Sequence, residues 1–110
     1  MFLCSGPVKH FELNVSDGDH LTVGDVIRCL ANTDYPPVSY YWQRYVSGSW
    51  QQLQQQYDDK IDDSSGTTIT LSTASTYTLR CVANVTVGNT KFTAVSHSVT
   101  LYVVKSGLCF

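Results

Sequence analysis

The sequence predicts an all-β domain whose strands face each other across one core, and three observations carry that expectation. First, apolar residues alternate with polar ones in about seven short runs bounded by turn-forming residues, which is the two-residue period of half-buried strands. Second, serine, threonine and valine are plentiful, and long Ala/Leu/Glu/Lys runs are missing, a composition that favours strands over helices. Third, Cys29 and Cys81 each lie in such a run with Trp42 in a run between them, the arrangement of two facing strands beside a bulky core ring.

A length of 110 residues sets one domain with one core. The formal charge is −2, and the seven Lys and Arg residues are scattered without a basic stripe, which argues against a nucleic-acid partner. No stretch approaches the roughly 18 to 20 apolar residues of a membrane-spanning helix. Met1-Phe2-Leu3 is too short for a signal peptide. The chain therefore reads as a piece of a longer secreted or membrane-anchored protein, tethered to further domains or an anchor. Four cysteines allow three pairings, and none has zinc-ligand spacing with His10, His20 or His97. A disulfide framework is favoured over a metal site, which implies an oxidising, extracellular setting. Two glycosylation sequons agree with that setting: Asn14-Val15-Ser16 and Asn84-Val85-Thr86.

Residues 1–10, with Cys4, Gly6 and Pro7, read as a lead-in segment or linker, 11–104 as the domain, and 105–110 as an exit segment or linker. Phe11, Leu13 and Val15 alternate with polar residues in a first strand. Asp17-Gly18-Asp19 makes a turn, and Leu21 and Val23 mark a short edge segment. Ile27, Cys29 and Ala31 share one strand face, with Arg28 on the other. Asn32 to Pro37 is a loop, because two prolines forbid a central strand. Tyr40, Trp42 and Arg44 then alternate with Tyr41, Gln43 and Tyr45; Ser47-Gly48-Ser49 turns the chain, and Trp50 to Leu53 returns. The polar stretch from Gln51 to Ser65 is mostly loop, and Ile69 and Leu71 belong to the next strand.

Tyr77, Leu79, Cys81, Ala83 and Val85 form the longest clean stripe, and Gly88-Asn89 closes a two-residue hairpin after it. That hairpin conflicts with the last strand. A plain register places Leu79 opposite Ser98 and turns Val99, Leu101 and Val103 to solvent. Burying those three residues needs a shift of one position, so the sequence predicts a β-bulge between Ala94 and Ser98.

The pattern Leu21-x-x-Gly24-Asp25-x-Ile27-x-Cys29-x-Ala31, Tyr40-x-Trp42, Leu71, Cys81-x-Ala83 and Val99-x-Leu101-x-Val103 resembles the immunoglobulin superfamily over roughly residues 11 to 104. The resemblance implies an immunoglobulin-like two-sheet Greek-key sandwich with a Cys29–Cys81 disulfide between the sheets and Trp42 packed on it. Such a bridge spans 52 positions and is worth roughly 4 kcal/mol by the chain-entropy model. The short interval from Trp42 to Cys81 implies a compact, constant-like or intermediate type without the two extra strands of variable domains. The chain departs from the family at the corner tyrosine. The family places it two residues before the second cysteine, where this chain has Leu79, and Tyr77 lies four residues before it. Both Tyr77 and Leu79 face the core by parity.

Nothing in the sequence assembles a nucleophile, a base and an orienting group, so the chain reads as a non-enzyme without catalytic residues, metal or cofactor. Asp58, Asp59, Asp62 and Asp63 lack the spacing and glycine of a calcium loop and read as a solvated segment. Aromatic density is the better clue. Tyr35, Tyr41, Tyr45, Trp50 and Tyr57 fall on or beside one sheet, and by parity Tyr41, Gln43 and Tyr45 face away from the core. Exposed tyrosines beside a tryptophan and glutamines suit protein recognition, either homophilic or heterophilic. The hairpin tip from Gly88 to Phe92 is a second candidate. Asn14 and Asn84 both face outward by parity. Cys4 and Cys109 either join each other, pair with neighbouring domains or another chain, or stay free, since a disulfide needs Cα atoms within about 7 Å. The expected function is therefore an extracellular recognition module of an adhesion or receptor protein. A structural spacer in a multi-domain array and a secreted decoy or immune-evasion protein are the alternatives.

Overall fold

The computed structural model describes residues 7–35, 38–53 and 66–105, and among them the chain forms strands and turns without a helix. The strands are β1 (Val8–Leu13), β2 (His20–Thr22), β3 (Val26–Thr33), β4 (Val38–Val46), β5 (Ser49–Gln52), β6 (Thr67–Thr70), β7 (Ser75–Val87), β8 (Thr90–Val95) and β9 (Val99–Val104). They make two sheets. One has the order β1-β3-β6; the other runs β2-β9-β7-β4-β5, with β8 also on β7. Cys4, Cys109, Tyr57 and the four aspartates at 58, 59, 62 and 63 lie outside the described residues.

The core follows the period-two stripes. Ile27, Cys29 and Ala31 of β3 face Trp42 of β4 and Leu79, Cys81, Ala83 and Val85 of β7, and all are buried. Each large apolar side chain contributes about 1.5–3 kcal/mol by leaving water. Cys29 and Cys81 are disulfide-bonded with Cα atoms 6.5 Å apart, and Trp42 is the cross-strand neighbour of Cys81.

The first strand starts at Val8, within the stretch read from sequence as a lead-in. Val8 pairs with Thr33, whose hydroxyl donates to Pro7 O at 2.7 Å. Val15 is buried although β1 ends at Leu13, because Asn14 continues the pairing with its side chain. Arg28 N–H donates to Asn14 Oδ1 at 2.8 Å, and Asn14 Nδ2 donates to Val26 O at 3.1 Å. The turn at Asp17–Asp19 then carries the chain to the other sheet, where β2 runs parallel to β9. Among the described residues this switch and the interruption between β8 and β9 give nine strands, where the sequence pattern suggests about seven.

The interruption is the expected bulge. Val87 pairs with Thr90 and Val82 with Val95, in the plain hairpin register. Beyond it Leu79 pairs with Val99 and Tyr77 with Leu101, one residue out of step. Burial of Val99, Leu101 and Val103 decides the shift. Ser96 makes it possible: its N–H donates to Cys81 O and its hydroxyl oxygen accepts from Cys81 N–H, both at 2.9 Å. Ser96→Ala leaves the buried Cys81 N–H without that acceptor and is expected to cost about 2 kcal/mol. The measurement is a lower urea midpoint together with faster hydrogen exchange at the Cys81 amide; unchanged exchange there would sink the assignment.

Two tyrosine hydroxyls close other backbone gaps. Ala31 N–H donates to Tyr40 Oη at 3.1 Å, across the two sheets. Tyr77 Oη donates to Thr73 O at 2.7 Å, so a tyrosine placed farther from Cys81 still pins the corner ahead of β7. The Arg44 guanidinium lies 4.3 Å over the Tyr77 ring and donates to Thr76 O at 3.1 Å.

Candidate functional site

The outer face of the larger sheet gathers Tyr41, Tyr45 and Trp50 of the aromatic residues singled out in the sequence. Trp42 faces the core, so its neighbours Tyr41 and Gln43 face out, with Tyr45 beyond them. The β4–β5 hairpin brings Trp50 onto the same face. Ser47 and Gly48 turn the chain with φ of +51° and +88°, the left-handed pair that matches strand twist in a two-residue turn. Tyr45 then pairs with Trp50, their ring centroids 5.2 Å apart at 62°, an edge-to-face contact.

The residue that completes the cluster is Arg80, which aromatic density alone did not single out. Gln43 is its cross-strand neighbour, and Arg80 Nε donates to Gln43 Oε1 at 2.7 Å. Its guanidinium sits 4.1 Å over the Trp50 ring. The signal for it was parity: the residue before an inward Cys81 must face out. Tyr45 is 46% exposed, whereas Trp50, Gln43 and Arg80 are partly buried against one another. Tyr41 differs from Tyr45. It lies across from Val82, which faces outward yet is 1% exposed, between Tyr41 and Val95. Tyr41 therefore belongs to a packed outer layer as well as to the surface.

Phe92 lies elsewhere. It pairs with Val85, a core-stripe residue, so its ring is on the opposite side of the sheet from Tyr45 and Trp50. With Pro7, Tyr35 and Val87 it lines a shallow apolar depression of about 260 Å³. Tyr35 is grouped with the sheet aromatics by sequence, and the structure places it in this separate end patch.

Asn84 stands on the outer face between Ser39 and Thr93, and accepts from Thr93 Oγ1–H at 2.7 Å. It is four residues along β7 from Arg80, about 13 Å at strand rise, so a glycan there would stand beside the Trp50 cluster rather than on it. Asn14 lies exposed on the other sheet's side with its carboxamide engaged between Val26 and Arg28.

The histidines are dispersed. His10 is 3.4 Å from Glu12, His20 stacks on Tyr102 at 5.2 Å, and His97 follows the bulge serine. Among the described residues no group of three or more His, Cys, Asp or Glu side chains comes together. No protein-family model and no curated protein matches the chain.

Proposed function

We propose that this chain is an immunoglobulin-like, extracellular protein-recognition module of an adhesion or receptor protein, and that it binds a protein partner through the outer face around Tyr45 and Trp50. The observation that carries the reading is the Tyr45–Trp50–Arg80–Gln43 cluster, whose side chains hold one another on a broad, rigid sheet. Large rings fixed before contact lose little freedom on binding, which is why such clusters dominate interface energetics. The fold reading draws on the strand order. On this reading β1, β3 and β6 would take the places of the A, B and E strands of the immunoglobulin sandwich, and β4, β7 and β8–β9 those of C, F and G, with the disulfide between B and F. The disulfide also suits an oxidising compartment.

The test is a binding screen of the domain against an array of extracellular ectodomains. Tyr45→Ala is expected to weaken any partner by about tenfold while leaving the melting temperature within a few degrees. Tyr41→Ala is the poorer probe, because it uncovers Val82 and lowers stability. Full affinity in Tyr45→Ala and Trp50→Ala would place recognition elsewhere.

A further inference from the structure

We infer that the partner is a different protein whose docking surface is acidic; this rests on the recognition reading above and adds the partner's chemistry. Among the described residues, the outward positions of the larger sheet include His20, Arg80 and Lys91 and no carboxylate. The chain as a whole carries a formal charge of −2. The described carboxylates lie along the β2–β9 edge of this sheet, where backbone N–H groups hold them, or on the other sheet. Asp17 accepts from Thr100 N–H at 2.7 Å at the β9 edge, Asp19 from Ser16 N–H at 2.8 Å, and Asp25 from Thr22 N–H at 2.9 Å. Asp34 pairs with Lys9 at 3.1 Å, and Glu12 stands beside His10.

Arg80 is the centre of this face. Its Nε is held by Gln43 and its plane by Trp50, so the guanidinium is oriented before a partner arrives. A preorganised guanidinium is suited to a carboxylate, which its remaining N–H groups can bind as a fork. Two copies meeting face to face would set Arg80 and Lys91 against like charge, with no carboxylate among the described outward residues of the face to neutralise them. The partner is therefore heterophilic. Gln43, Tyr45 and Trp50 spread the contact over two strands, an extent that fits a protein surface better than a single sugar.

The experiment is an NMR titration of the isotope-labelled domain with synthetic 12-residue peptides: one of alternating Glu and Tyr, one of Ser and Tyr, one of Lys and Tyr. A hyaluronan hexasaccharide serves as an acidic sugar. The Glu/Tyr peptide is expected to shift the Arg80 Nε–H, the Trp50 indole N–H and the amides of 43–45. Its affinity should fall about fivefold or more in Arg80→Gln and again at high salt. Arg80→Lys should keep part of the binding, and melting curves should show both variants folded. If the Ser/Tyr peptide shifts the same signals equally and Arg80→Gln changes nothing, the aromatic face recognises proteins but the acidic partner is wrong. If none of the peptides moves those signals, the recognition reading fails with it. Binding of the sugar alone, or dimerisation through this face in sedimentation at millimolar concentration, overturns the heterophilic protein partner.

Discussion

Replacing both Cys29 and Cys81 with alanine is expected to lower the stability of the domain by about 4 kcal/mol. The bridge closes a loop of 52 positions, and removing it frees the unfolded chain from that constraint. It also removes two fully buried sulfurs from the layer packed around Trp42. Small domains have a net stability of about 5–15 kcal/mol, so the loss is a large share of the total. The melting temperature should fall by about 15–25 °C. Urea denaturation checks the origin of the effect, because a more expanded unfolded state raises the m-value as the midpoint falls. A loss below about 1 kcal/mol would show that the bridge does little to restrain the unfolded chain.

Gly66→Ala is expected to cost about 3 kcal/mol, more than alanine at other glycines with left-handed backbone. Gly66 has φ of +73°, and a Cβ there would press into the Cys29 carbonyl, with its carbon at 2.9 Å and Leu30 Cα at 3.1 Å. These are backbone atoms of β3, the strand that carries the disulfide, so they cannot turn aside as a flexible side chain would. Gly24 supplies the control. Its φ is +99° but nothing lies within 4 Å of its added Cβ, so Gly24→Ala should show only the conformational cost, about 1 kcal/mol. Equal losses at the two sites would mean that the approach of Gly66 to β3 is loose. Chemical denaturation of the two variants side by side decides it.

The two variants differ in how far their effects can be read from sequence. Cys29 and Cys81 announce themselves by their place in alternating runs around Trp42. Gly66 sits beside a polar stretch, and nothing local says that another strand's carbonyl lies against its Cα. Phe92 and Arg80 divide in the same way. Parity places Arg80 outside, yet only the pairing of β4 with both β5 and β7 brings Gln43, Trp50 and Arg80 together. Phe92 is exposed and aromatic like Tyr45, but the hairpin register turns it to the other side of the sheet.

Tyr77 shows the limit of motif reading. Its distance from Cys81 departs from the immunoglobulin pattern that the sequence resembles, whereas its hydroxyl reaches Thr73 O because the chain ahead of β7 bends within range. The bulge shows the opposite case. A hairpin closed at Gly88-Asn89 and an apolar stripe at Val99, Leu101 and Val103 cannot both hold in one unbroken register, and the structure resolves the conflict at Ser96.

By itself the sequence determined the strand class, the inward face of nearly every strand and the need for a bulge. Side chains alternate across a strand whatever surrounds it, and apolar faces must leave water. Only the tertiary structure decided which outward residues touch, where β2 crosses to run beside β9, and which carbonyl Gly66 must accommodate. Those features depend on strands brought together from distant parts of the chain, and no local period records that geometry.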